Sequence, residues 1–291
     1  MTRFNRWIPL AVIAMSALAL AAQDTVTLRR QLTDGTTEKY KIESTVKQSV
    51  EVPGMGEQNI DITTVMTYAL KIGKTDAATG LASVETVSKL EKMSMEGMPG
   101  GGGSPDLPEE AKKEMVVPGK LDVRNRLKIE NANIPTGPAA MLSGGSSATQ
   151  TVGIFFEFPE GPIKIGDSWD VVIPKGPLMY KEDQKLKATL VGEKDADGVK
   201  AWVIKMEGTL KMEPDMEAMM KANAAQAGGG QMPNMKMTGT MEMSTEGLVD
   251  KATGVTIRML TKYKMSNEME LVDQGMKLDL KGSGTTKVTR G

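Results

Sequence analysis

The chain contains no cysteine and no histidine, and only 4% of its residues are aromatic. Without these two residue types, the commonest general base, the thiol nucleophile and the usual zinc ligands are all missing. An exported chain without cysteine also has no disulfides and no lipid-anchor cysteine, so its stability must come from its core. We therefore predict that the protein is not an enzyme and has no catalytic residue, metal site or cofactor.

The N-terminus has the pattern of a secretion signal. Arg3 and Arg6 precede an uncharged apolar run over residues 8–20, and small residues follow at Ala21 and Ala22. The run is shorter than the ~20 residues that a membrane-spanning helix needs. We therefore predict a signal peptide over residues 1–22 and a periplasmic or extracellular mature chain that has no membrane span.

The charge of the mature chain is nearly balanced. Removing Arg3 and Arg6 from the 36 basic residues leaves 34 against 37 acidic residues, a net charge of −3. Proteins that bind nucleic acid carry a basic patch or a strongly basic balance. The composition therefore predicts no nucleic-acid partner.

Most of the chain alternates between apolar and polar residues. In one run Tyr40, Ile42, Val46 and Val50 share a parity, and residues 255–272 alternate over eighteen positions. A period of two is typical of half-buried strands, and these runs far exceed the usual strand length of ~5–6 residues. We predict a mostly β fold of about ten long antiparallel strands, forming a strongly curved sheet or half-barrel with short helices only in insertions.

The order of segments suggests two related halves, residues 23–135 and 161–291, joined by a connecting segment over residues 136–160. Each half places a glycine-rich insertion after its third strand, and turns of the form Asp-to-Gly recur at residues 76–80, 195–198 and 250–254. Duplication explains this order, although any antiparallel meander repeats such turns. We expect residues 97–108 and 226–232 to be mobile loops, and residues 214–225 to form a short helix.

The stretch from Phe155 to Pro174 lies at the joint between the halves and holds three of the four phenylalanines. Trp169 follows a Gly-Asp turn and opens a strand, so we predict that it is buried. The run Ile165-Gly-Asp-Ser-Trp169 resembles an uncharacterised family of exported bacterial β-rich proteins with a central Gly-Asp-Ser-Trp motif. The overall pattern also resembles periplasmic lipoprotein carriers, which implies a curved sheet that holds acyl chains.

Three local patterns invite a chemical interpretation. Ser168 has no histidine to activate it and does not lie in a Gly-x-Ser-x-Gly turn, so a turn hydroxyl explains it better. Ser44 and Lys47 match Ser-x-x-Lys, but they lie in a strand-like run without the partner motifs. Residues 193–198 resemble the start of a calcium loop, but Ile204 stands where a bidentate glutamate is needed, and a hairpin turn explains them better.

The 24 methionines are the main compositional anomaly. Thioethers suit Cu(I), but most of these residues lie on the apolar side of a strand, where methionine fills a core or lines an adaptable binding surface. We predict that the protein binds a lipophilic ligand in a methionine-lined apolar cavity. The alternative is a structural or protein-interaction module of the cell envelope that has no ligand cavity. The predicted ligand-binding residues are Trp202, Ile204, Met206, Leu210, Met212, Ile257, Met259, Tyr263 and Met265.

Overall fold

The computed structural model describes residues 25–52, 56–97, 113–129, 155–175, 180–214 and 235–291. These ranges contain eleven β-strands, one 3-10 turn at Val272–Gln274 and no α-helix. The mostly β fold predicted from the period of two is thereby confirmed. The strands are β1 Thr37–Val52, β2 Gly56–Thr75, β3 Ala82–Glu96, β4 Met115–Leu121, β5 Leu127–Ile129, β6 Ser168–Ile173, β7 Gln184–Ala196, β8 Val199–Met212, β9 Met235–Asp250, β10 Thr256–Leu271 and β11 Met276–Arg290.

Tight turns join the long strands. Between β7 and β8, Asp197 and Gly198 both have positive φ, 56° and 84°, the conformation that a two-residue hairpin turn requires. At the β9–β10 turn, Gly254 donates its backbone N–H to the Asp250 carbonyl at 2.8 Å and has a φ of 68°. A side chain at Gly254 would also meet the Arg29 carbonyl oxygen at 2.2 Å, so only glycine fits this position.

All eleven strands form one antiparallel sheet in the order β5-β4-β3-β2-β1-β11-β10-β9-β8-β7-β6. Each half of the chain is a simple meander, β1–β5 in the first and β6–β11 in the second. The first and last strands pair over twelve positions, from Tyr40 opposite Arg290 to Glu51 opposite Asp279. One hydrophobic core spans both halves.

The central stretch lies across the sheet and contacts both of its edges. Phe155, Phe156 and Phe158 are buried in the core. The backbone N–H of Phe158 donates to the Arg124 carbonyl in the β4–β5 turn at 2.9 Å. At the other edge, the indole N–H of Trp169 on β6 donates to the Glu157 carbonyl at 2.8 Å. The sheet therefore curves around this stretch while its edge strands, β5 and β6, remain unpaired with each other.

The segment before β1 does not form a regular strand, although its sequence alternates like one. Residues 25–32 alternate like a strand, but only Val26 makes a β-bridge, to Ile163. The following backbone N–H groups donate to loops, Arg30 to the Val123 carbonyl at 2.7 Å and Gln31 to the Thr253 carbonyl at 2.8 Å. The segment is thus an extended strap that packs on the core. The predicted signal peptide, the helix at 214–225 and the loops at 97–108 and 226–232 lie outside the described residues, apart from Gly97 and Pro214.

Candidate functional site

The sheet has one apolar face and one polar face, and the predicted ligand-binding residues of β8 lie on the apolar face. Trp202, Ile204, Met206, Leu210 and Met212 are all buried there, and three of them are no more than 1% exposed. They belong to the main core together with Met259 of β10, and the half-buried Tyr263 and Met265 of β10 pack against that core. Strand β9 lies between β8 and β10. The structure therefore brings eight of the nine predicted residues to one face, and the five of β8 belong to its packed core.

Ile257 is the exception, and its predicted place beside Met259 is wrong. A β-bulge between Thr256 and Arg258 shifts the register of β10 against β9. A bulge inserts one extra residue, so the alternation of faces breaks at this point. Ile257 consequently packs with Leu248 and Val203 in a small separate cluster rather than in the main core.

Beyond the packed core, the apolar face continues along the long middle strands, where its side chains are only half-buried. We call this region the open apolar face. Cross-strand partners in a sheet lie on the same side, so the register assigns its members directly. They are Val46 and Val50 on β1, Ile60 and Ile62 on β2, Met235, Met237 and Met243 on β9, Met265, Met269 and Leu271 on β10, and Met276, Leu278 and Leu280 on β11.

Five hydroxyl side chains cross the apolar face in one line, and on β1, β2 and β11 this line separates the packed core from the open apolar face. The register aligns one serine or threonine on each of five neighbouring strands, and we call this set the hydroxyl row. The Ser44 and Thr286 hydroxyls are 3.1 Å apart, and those of Thr245 and Thr261 are 3.0 Å apart. The members of the row, in strand order, are Thr64, Ser44, Thr286, Thr261 and Thr245.

Tyr263 lies next to this row and covers a glycine on the neighbouring strand. A methyl group at Gly284 would meet the Tyr263 ring and hydroxyl at 2.3 Å, so the end of this side chain lies over the glycine. Burial raises the pKa of the Tyr263 phenol, and a hydrogen bond with Ser44 acts in the opposite direction. Met265 lies over Gly282 in the same way, because a Cβ added at Gly282 would be 2.4 Å from the terminal methyl of Met265. Because Gly284 and Gly282 have no side chains, Tyr263 and Met265 of β10 can extend over β11.

The polar face carries an open concavity of about 560 Å³ over the middle strands. Lys47, Lys262 and Lys264 line it together with Glu207 and Glu242, so charges of both signs are present. A hydrogen bond from Lys205 lowers the pKa of Glu207. This concavity therefore belongs to the charged side of the sheet, and its chemistry differs from that of the predicted apolar cavity.

Two features of the site were not predicted from the sequence, the hydroxyl row and the burial of Arg30. The hydroxyl row is invisible without the register, because its five members come from distant parts of the chain. Arg30 is 1% exposed although it is charged. A signal for it was present, because Arg30 has the same parity as the apolar residues Val26, Leu28 and Leu32.

Comparison with known proteins identifies no family. No family model matches the chain, and no curated protein matches its sequence. Among solved structures, one described as "Lipid-protein interactions in lipovitellin" aligns with 90% of this chain at 8% sequence identity and a TM-score of 0.42. The chain spans only 25% of that lipovitellin chain. At this level of similarity we draw no functional conclusion from it.

Proposed function

We propose that the protein is an exported, non-enzymatic β protein that binds a lipophilic molecule on its open apolar face. The observation that carries this proposal is the half-burial of thirteen methionine, leucine, isoleucine and valine side chains on five adjacent strands, with Gln48, Gln58 and Asn267 as the polar side chains among them. Contiguous apolar surface of this kind on a soluble protein is typical of a binding site. The adjoining core, by contrast, is closed.

The length of the strands supports a function for this surface. From Ser44 to Val50, β1 continues for about 20 Å past the hydroxyl row, at ~3.4 Å per residue. If β1, β2 and β11 served only to build the core, they could end near the row, because their buried residues Tyr40, Tyr68, Leu70 and Val288 all lie on its other side. The extended part instead exposes apolar surface to water, an unfavourable arrangement that a bound apolar molecule would relieve.

The composition of this face supports a ligand of variable shape. Six of its thirteen members are methionines, Met235, Met237, Met243, Met265, Met269 and Met276. Methionine is unbranched and polarizable, so it can repack around different apolar groups, whereas branched side chains hold fixed rotamers. Export of the chain rests on the signal pattern of residues 1–22, and the lack of enzymatic activity rests on the missing histidine and cysteine.

The alternative function, an interaction module of the cell envelope, predicts that another protein covers the same face. Both functions require that the face be covered, but they differ in what covers it.

Within the described ranges, no helix is long and apolar enough to cross a membrane.

Two measurements on the mature protein test the proposal. Mass spectrometry of gently purified protein should detect a co-purified lipophilic molecule. Titration with an uncharged lipophilic fluorophore, and in parallel with a fluorescent fatty acid, should show saturable binding of at least one probe. If neither a co-purified molecule nor saturable binding is found, the proposal is wrong and the interaction module becomes the better account.

A further inference from the structure

We propose that the hydroxyl row binds the polar end of the lipophilic ligand, and that this polar end is uncharged. The inference rests on the proposed function and specifies its ligand class: a neutral lipid with a single hydrogen-bonding head, such as a long-chain alcohol or a monoacylglycerol. The apolar chain of the ligand would lie along the open apolar face.

The position of the row fits this role. On β1, β2 and β11 it lies where the packed core ends, and beyond it on these strands the chain of a ligand would meet only half-buried side chains. On β8 and β9 the core continues past the row to Leu210, Met212 and Met241. Thr245 and Thr261 are 1% and 7% exposed, whereas Ser44, Thr64 and Thr286 are half-buried and therefore within reach of a ligand. The accessible part of the row thus lies on β2, β1 and β11, beside the valines and isoleucines of the open apolar face.

The accessible hydroxyls retain hydrogen-bonding capacity. A hydroxyl can donate one hydrogen bond and accept two. The hydrogen bond between Ser44 and Thr286 uses one donor and one acceptor of these two hydroxyls. The hydrogen bond between Ser44 and Tyr263 uses one further donor or acceptor of Ser44. One donor and several acceptor positions remain in this group, which matches a ligand hydroxyl that both donates and accepts.

The surroundings of the row determine the charge of the ligand. From the row to the far ends of β1, β2, β9, β10 and β11, no described position on the apolar face holds a lysine, arginine, aspartate or glutamate. The lysines in these parts of the strands lie on the opposite face. A carboxylate or phosphate placed at the row would lose water without gaining a countercharge, and burial of an unpaired charge is strongly unfavourable. A neutral head avoids that cost.

A competition experiment tests the inference. In this experiment dodecanol, dodecane and dodecanoate are each titrated against the uncharged fluorophore bound to the wild-type mature protein. Dodecanol should displace the fluorophore at a concentration about tenfold lower than either of the others, the effect of one or two neutral hydrogen bonds. In the double variant Ser44→Ala/Thr286→Val, this preference over dodecane should fall to less than about threefold.

The matched control removes two hydroxyls from the other face of the same strands. Thr45 and Thr285 are cross-strand partners and are exposed on the polar face, so Thr45→Val/Thr285→Val should keep the tenfold preference. The single variant Thr286→Val replaces the double variant if the latter does not fold. A retained preference in the Ser44→Ala/Thr286→Val protein, or equal displacement by dodecanoate, overturns the inference while the proposed function stands. Failure of the wild-type protein to bind the fluorophore or any of the three competitors overturns both.

Discussion

Arg30 and Glu38 form an ion pair in the interior, where their side chains are 0% and 7% exposed. The guanidinium also donates to the Asn125 side-chain oxygen at 2.7 Å, and its Cζ lies 5.0 Å from the centre of the Phe155 ring. The Tyr40 hydroxyl donates to the same Glu38 carboxylate at 2.6 Å. The N-terminal strap, β1, the β4–β5 turn and the central stretch thus meet in one buried polar network.

Breaking this pair should destabilise the protein strongly. Arg30→Met should lower the free energy of unfolding by about 3–5 kcal/mol, because it leaves the Glu38 carboxylate buried without its countercharge. The control is Lys41→Met, whose ion pair with Glu43 is exposed and should leave the urea midpoint unchanged. Equal midpoints for the two variants would contradict the structural role of the Arg30 pair.

The protein should unfold at alkaline pH when its tyrosines ionise. Burial raises the pKa of all four, to about 12 for Tyr180. In the unfolded chain the pKa is about 10. The raised values therefore stabilise the fold fully below pH ~10, and this stabilisation is lost as the pH rises toward 12. Phenolate absorbance and far-ultraviolet circular dichroism should change together above pH ~10. Phenolate formation near pH 10 with the β-sheet signal intact would show that these side chains are accessible.

The core has no room for a methyl group at Gly247. An added Cβ would lie 2.4 Å from Cε2 of the Phe156 ring. Gly247→Ala should therefore cost about 1–3 kcal/mol of stability through overpacking. Phe156→Leu should relieve part of this cost, so the two effects should be less than additive. Gly192→Ala is the control, because a Cβ there meets no atom within 4 Å. Strict additivity in thermal denaturation would show that the ring does not press on this glycine.

Trp169 should stabilise the edge of the sheet through both its ring and its N–H group. It is half-buried rather than fully buried, and its indole N–H binds the Glu157 carbonyl. Trp169→Ala should cost about 3 kcal/mol, the lower end of the range for an aromatic residue lost from a core. Trp169→Phe keeps the apolar contact and should cost only about 0.5–1.5 kcal/mol for the lost hydrogen bond. Indistinguishable denaturation midpoints of the two variants and the wild type would place Trp169 outside the structural core.

The strands of this fold could be predicted from sequence because each long strand has one buried and one solvated face. The alternation of Tyr40, Ile42 and Val46 with polar residues predicts a strand without any knowledge of the strands that pair with it. The Asp-to-Gly turns were equally local signals, since positive φ at Gly198 and Gly254 restricts the residue type. These signals specify the elements but not their neighbours. The pairing of β1 with β11 joins the two ends of the described chain and has no local signature.

The candidate site was less predictable for the same reason. The bulge near Ile257 reverses a face within a continuous alternating run, and no residue in that run distinguishes it from a regular strand. The predicted residues of β8 were correctly placed on the apolar face, but the sequence could not show that they are buried in one core with the phenylalanines of the central stretch. The extent of the packed core depends on contacts between distant parts of the chain, such as that of the Phe156 ring with Gly247.

The central claim is that the open apolar face binds a lipophilic molecule, and charge placed on that face tests it most directly. Met237 and Met269 are half-buried cross-strand partners on this face, while Thr240 and Ser266 are exposed partners on the polar face of the same strands. We expect Met237→Glu/Met269→Glu to weaken binding of the uncharged fluorophore at least about tenfold, because a carboxylate disfavours an apolar neighbour. Thr240→Glu/Ser266→Glu should bind like the wild type. Equal affinity of the two double variants, both folded by circular dichroism, would contradict the claim.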